Sequence, residues 1–199
     1  MTYAITNTGT SLCVATPYSP DFISAAKREL GATWDGTCWC FDARDAAEVA
    51  ALLQRIFGWT AGMALVSALV YFDEDCTYSR RPCVLLGRVM VEAWGRDSGG
   101  TVGDGVRLRS GNIDSGGSTK NWTTVVSKGT ELVVHDVPIG IVLDYVEGRR
   151  ECRNVRVEML RTSDIPWATE AQTLAAERAR LLSRVSEIDA VLVDANWRI

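Results

Sequence analysis

Apolar and polar positions along residues 13–58 follow two rhythms, and the change between them outlines a small folding module. Phe22, Ala26 and Leu30 recur at helical spacing, which predicts a first helix. Ser19 is placed to cap it and Pro20 to open it. Gly31 can adopt the left-handed conformation that ends it. A second apolar stripe, Val49, Leu52, Leu53 and Ile56, predicts another helix, with Asp42 and Asp45 at its start and Gly58 at its close. Between the two, Trp34-Asp35-Gly36-Thr37 reads as a tight two-residue hairpin turn, because Asp-Gly suits positive φ. These local signals agree with one another and describe a βαββα module. Upstream, Tyr3 to Thr16 reads as a hairpin turning at Asn7-Thr8-Gly9, and Trp59 to Gly62 as the module's downstream boundary.

From Met63 to Leu160 the helical rhythm gives way to short strands and Gly-rich loops. The candidate strands are Ala64–Phe72, Cys83–Trp94, Val106–Arg109, Trp122–Ser127, Glu131–His135, Ile139–Val146 and Asn154–Leu160. In the last, Val155, Val157 and Met159 alternate with Arg156 and Glu158, as a half-buried strand requires. Residues 98–105 and 110–121 read as long polar loops. A final helix is predicted from Ser163 or Asp164 to Val193. Leu174, Leu181, Val185, Ile188 and Leu192 form its seam, interrupted by Arg178, and two readings compete for it: packing on the β region or pairing in a homodimer. The expected class is α+β, with a βαββα module over residues 1–58, an antiparallel β barrel or sandwich over 59–161 and a long C-terminal helix over 162–199.

Composition adds constraints on function. The 199 residues carry a net charge of −4, so the strongly basic balance of a typical nucleic-acid binder is missing. An acidic surface also suits docking on a basic protein. The longest apolar run, 64–72, is too short to cross a bilayer, and the Met1-Thr-Tyr-Ala-Ile start lacks signal-peptide character, so a cytoplasmic location is expected. In that compartment the six cysteines read as free thiols.

Motifs for chemistry are sparse. Cys38 and Cys40 share one face of a strand that Cys13 is able to join, and three thiolates with a fourth ligand would make a zinc site. Against this, no Cys-x-x-Cys pair is present, the one histidine, His135, is remote, and small residues facing a core explain the pattern equally well. Gly111 to Thr119 nearly matches a phosphate-binding loop, but Gly117 stands where its lysine belongs and the strand-then-helix context is absent. A weaker role remains for Gly116, Gly117, Ser118 and Lys120 in holding a nucleic-acid phosphate. Asp73-Glu74-Asp75 reads as a solvated turn, and the arginines 149, 150, 153 and 156 as a salt-bridged surface. No cofactor, metal or catalytic residue is expected, and the chain does not read as an enzyme. The remaining candidates for nucleic-acid contact are Lys27 and Arg28 on the exposed side of the first helix, with Trp34 and Trp39 flanking the hairpin.

The segment PYSPDFISAAKRELGATWDGTCWCFDA resembles the HepA-related protein (HARP) domain, an accessory module of annealing helicases. The resemblance rests on Pro17-Tyr18-Ser19-Pro20, Phe22 and Ile23, Trp34-Asp35, Trp39-x-Phe41 and the helix that follows. It implies binding to forked or single-stranded DNA. No helicase motor pattern follows, so rewinding activity is not implied. Residues 110–121 and 129–138 also look like parts of small phage and plasmid proteins. Two functions are therefore expected. One is a non-catalytic nucleic-acid-binding accessory protein of a mobile element. The alternative is an inhibitor of a host defence complex, of the anti-CRISPR type, acting through protein–protein binding.

Overall fold

The computed structural model describes residues 3–160 and the exposed Leu181. Of the described residues, 42% lie in strands and 22% in helices. That balance corrects the α+β expectation. The described residues form a mostly β protein with three short helices and four small antiparallel sheets, and no long helix is among them. The helix expected over 162–199 lies outside the described residues, as do its seam positions Leu174, Val185, Ile188 and Leu192. No helix among the described residues is long and apolar enough to cross a membrane.

The N-terminal part is built on one sheet with two helices on it. Strands β1 (Ala4–Asn7) and β2 (Ser11–Ala15) form the expected hairpin. Helix α1 (Pro20–Leu30) begins where Ser19 Oγ accepts the Phe22 amide at 3.3 Å, and it ends at Gly31 with φ 59°. Strands β3 (Thr33–Trp34) and β4 (Trp39–Asp42) follow, then a 3-10 turn (Ala43–Asp45) and helix α2 (Ala46–Phe57), closed by Gly58 at φ 60°. The sheet order is β1-β2-β4-β3. Leu12, Val14, Trp39 and Phe41 point to one face, where Phe22, Ala26, Val49, Leu52, Leu53 and Phe57 complete an apolar core. Phe22 and Phe57 are 5.3 Å apart at its centre, and Tyr3 stacks on Trp59 at 5.6 Å. Burying several large rings supplies most of the driving force for a module this small.

The hairpin between β3 and β4 differs from expectation. Trp34 pairs with Trp39, so four residues rather than two make the loop. Asp35 explains the longer loop: its Oδ1 accepts the amides of both Thr37 and Cys38 at 2.7 Å, and its own amide reaches the Cys38 carbonyl at 3.2 Å. The Asp side chain thereby does the work assigned to an Asp-Gly turn.

The rest of the described chain holds three sheets rather than one barrel or sandwich. Its strands are β5 (Leu65–Phe72), β6 (Cys76–Ser79), β7 (Cys83–Leu85), β8 (Arg88–Glu92), β9 (Thr101–Val102), β10 (Val106–Ser110), β11 (Ile113–Gly117), β12 (Trp122–Val126), β13 (Glu131–Pro138) and β14 (Val155–Leu160). The sheets are ordered β10-β13-β5-β14, β11-β12-β6 and β7-β8-β9 around a second core that includes Phe72, Met90, Leu132 and Ile141. Helix α3 (Ile139–Val146) precedes β14.

Four further expectations change. Residues 139–146 are helix, not strand: an eight-residue apolar run fits either, and here burial of Ile141 and Val142 decides it. The supposed single strand 83–94 folds back at Leu86 and Gly87, both at positive φ. Residues 110–121 are mostly β11 and its turn rather than a loop, so Gly116 and Gly117 are paired with Thr123 and Trp122 in a ladder. Strand β6 was hidden because its polar sequence, CTYS, carries no apolar alternation.

Of the described residues, 3–159 form one compact unit, and two features join its cores. Gly58 and Gly140 lie against each other so closely that a Cβ on Gly140 would sit 2.6 Å from the Gly58 carbonyl oxygen. Arg88, only 2% exposed, donates to Tyr3 Oη at 3.1 Å and to the His135 and Asp136 carbonyls at 2.9 and 2.7 Å. Those carbonyls are available because β13 bulges against β5 between Val134 and Val137, with Asp136 at φ 53°.

Candidate functional site

The elements of the N-terminal sheet converge on a cleft of about 580 Å³. One wall is the Ala15–Ser19 connection into α1, a second is the α1 face bearing Phe22, Ile23 and Lys27, and a third is the β3–β4 hairpin with Trp34, Thr37 and Trp39. Ser19 is buried and holds the start of α1, which leaves the neighbouring Tyr18 projecting at 56% exposure. Trp34 is 51% exposed, whereas Trp39 is 8% exposed and belongs to the core. Their rings lie 5.4 Å apart at 52°, and Lys27 Nζ sits 5.4 Å from the centre of the Trp39 ring. An ammonium over an indole is attracted by the ring quadrupole while keeping part of its hydration.

The structure therefore brings together three of the five residues expected to contact nucleic acid: Lys27, Trp34 and Trp39. Arg28 does not line the cleft. It points to solvent and reaches Glu29 at 3.4 Å, and Glu29 is held more closely by Arg55 at 2.7 Å. Lys120 lies on the turn between β11 and β12, on a different sheet, and also does not line the cleft. Tyr18 is the aromatic that residue-by-residue reasoning did not single out as a contact. It immediately precedes the Ser19 cap of α1, and its exposure is a property of the folded chain.

Below the hairpin, on the opposite face of the sheet from the core, Cys13, Cys38, Cys40 and Asp35 gather with their ligand atoms within 4.8 Å of one another. Cys13 and Cys40 are directly paired across β2 and β4. Asp35 Oδ2 accepts from Cys38 Sγ at 3.3 Å and from Cys40 Sγ at 3.5 Å. The amides of Cys38 and Thr37 hold the Asp35 carboxyl down at about 2. Desolvation, then the Cys13 thiol and the Asp35 carboxylate, push the Cys38 thiol up to about 12. These thiols do not face the core, since Leu12, Val14, Trp39 and Phe41 occupy that side, so core packing does not account for them.

Other candidate chemistry resolves into structure. His135 Nδ1 is 3.0 Å from Ser67 Oγ beside the β13 bulge, with its pKa lowered chiefly by desolvation and then by Arg107. Asp75 Oδ1 accepts the Lys128 amide at 2.7 Å, which ties the acidic 73–75 turn to the turn following β12. Arg149 pairs with Asp144 at 2.8 Å and with Glu147, Arg150 with Asp144 at 3.4 Å and Arg156 with Asp73 at 3.0 Å. Arg149, Arg150 and Arg156 thus lie on a salt-bridged surface, with Asp144 and Asp73 from outside the arginine cluster as partners beside Glu147. Cys83 is buried in the second core, and the partly buried Cys76 and Cys152 pack against it; desolvation raises each thiol and favours the inert neutral form.

Comparison with known proteins finds no matching protein family, no matching curated protein and no matching solved structure.

Proposed function

We propose that the N-terminal sheet and its two helices form a non-catalytic nucleic-acid-binding module that takes unpaired bases into the Tyr18–Trp34 cleft. The observation that carries this reading is the convergence of Tyr18, Trp34, Trp39 and Lys27 on one opening. Exposed aromatic faces stack on bases only where those bases are not already stacked in a duplex, which favours single strands and fork junctions. Lys27 is placed to meet a phosphate beside a stacked base. The resemblance of residues 17–43 to the HARP domain supports the same ligand class. With one cation in the cleft and a net charge of −4, binding is expected to be weak and lost at modest salt.

A second reading has its own observation. Pro17, Phe22 and Ile23 make much of the cleft lining apolar, which suits a side chain of a protein partner, as an inhibitor of a host defence complex requires. A low-salt gel-shift series on single-stranded, duplex and forked DNA separates the two. The nucleic-acid reading expects single-stranded and forked DNA to bind ahead of duplex, with binding reduced in Lys27→Glu. No shift with any DNA, together with a protein partner captured by wild type and lost in Trp34→Ala, would replace it with the second reading.

A further inference from the structure

We propose that Cys13, Cys38, Cys40 and Asp35 form a structural zinc site that fastens the β3–β4 hairpin to β2. The inference does not rest on the nucleic-acid reading, and its test needs no DNA.

The donor set is assembled by strand geometry. Ladder pairing places Cys13 directly across from Cys40, and Cys38, the last residue of the loop before β4, brings its sulfur to the same Asp35 oxygen that Cys40 reaches. The loop then returns the Asp35 carboxylate over the three sulfurs, fixed there by the Thr37 and Cys38 amides on its other oxygen. One carboxylate oxygen thus faces the sulfurs while the other maintains the loop. Zinc–sulfur bonds of about 2.3 Å imply donor–donor edges of roughly 3.8 Å in a tetrahedron. The Asp35–sulfur separations of 3.3 and 3.5 Å are already at that scale. All the ligand atoms lie within 4.8 Å of one another, so no edge needs to contract by more than roughly 1 Å to reach the tetrahedral value.

The chemistry also selects the metal. Three soft thiolates and one carboxylate suit zinc in a closed four-ligand site and do not suit magnesium or calcium. Four protein ligands leave no position for substrate, so the role is structural. The ion would join β2, β4 and the loop between β3 and β4, stiffening the hairpin that presents Trp34. No Cys-x-x-Cys spacing is needed, because the cross-strand partner replaces the second half of such a motif.

The test uses the full chain, expressed and purified without oxidant, with native mass spectrometry for metal content and Co(II) as a spectroscopic probe. Wild type should carry one equivalent of zinc. Its Co(II) form should show thiolate-to-cobalt charge transfer together with the intense visible bands of tetrahedral cobalt. Cys38→Ser should weaken zinc binding about 100-fold, since each ligand supplies a comparable share of the total affinity. Asp35→Asn keeps an oxygen for the two amides while removing the anionic ligand, so it tests the site with the loop intact even where a cysteine variant misfolds. It should weaken zinc binding roughly tenfold. Cys76→Ser, in the other core, should leave binding unchanged. Three results would overturn the proposal: wild type holding no more zinc than a Cys13/Cys38/Cys40 triple serine variant, a thiolate–cobalt spectrum persisting in that variant, or a Cys13–Cys40 disulfide in the freshly isolated protein.

Discussion

Two glycines end the helices of the N-terminal module in the same backbone conformation, and their surroundings differ completely. Gly31 has φ 59° with nothing within 4 Å of the position a Cβ would take. Gly58 has φ 60°, but a Cβ there would lie 2.6 Å from the Ile141 amide nitrogen, 2.9 Å from its Cβ and 3.0 Å from its Cα. Alanine at either position incurs the left-handed penalty of about 1–2 kcal/mol, partly offset because alanine restricts the unfolded chain by about 0.4–1 kcal/mol. Gly31→Ala should therefore destabilise by about 1 kcal/mol. Gly58→Ala adds overpacking against backbone that has no rotamer to swing aside, worth about 1–3 kcal/mol more. Urea denaturation followed by tryptophan fluorescence measures both, and each kcal/mol should also lower Tm by about 2–4 °C. The prediction is a clear gap between two variants of identical chemistry and identical φ. Equal losses would mean that the end of α2 does not pack on the start of α3, and the account of how the two cores join would fail.

Arg88 makes the other connection. Arg88→Met keeps most of the side-chain volume but leaves the His135 and Asp136 carbonyls and the Tyr3 hydroxyl without their donor. Lost bonds are offset by relief of a buried guanidinium, for a net loss of about 1–3 kcal/mol, read by thermal unfolding; a gain in stability would show that the buried cation is a net burden. His135 sets a pH dependence. Its folded pKa lies below the ordinary 6.5, so below that pH the unfolded chain takes up a proton that the folded one resists. Stability should be full above about pH 6.5 and fall as pH drops toward the folded pKa. His135→Gln should flatten that limb, and an unchanged limb would assign it to other groups.

The parts of the fold that were legible in the sequence are those set by neighbouring residues. Ser19, Pro20 and Gly31 bound α1 where expected because capping and left-handed termination act over a few positions. The parts that were not legible depend on distant partners. Ile139–Val146 is helical because of what it packs on, and β11 is a strand because β12 pairs with it. Leu86, a non-glycine residue at φ 52°, carries no local turn signal. The cleft was half visible: Lys27, Trp34 and Trp39 were marked by type, while Tyr18 required knowing which way the Ser19 cap turns the chain. Asp35 was read as a turn residue, and only the folded loop between β3 and β4 shows its carboxylate gathered with three sulfurs.

In the proposed function, unpaired bases stack on the exposed aromatics of the N-terminal cleft. Titrating the protein with a short single-stranded oligonucleotide at low salt, while following tryptophan fluorescence, tests it most directly. Wild type should be quenched saturably. Trp34→Ala should bind roughly 5- to 150-fold more weakly while remaining folded, as expected for losing a stacking platform worth about 1–3 kcal/mol per base. Saturable binding of equal affinity in wild type and Trp34→Ala, or no binding by either, would contradict the account.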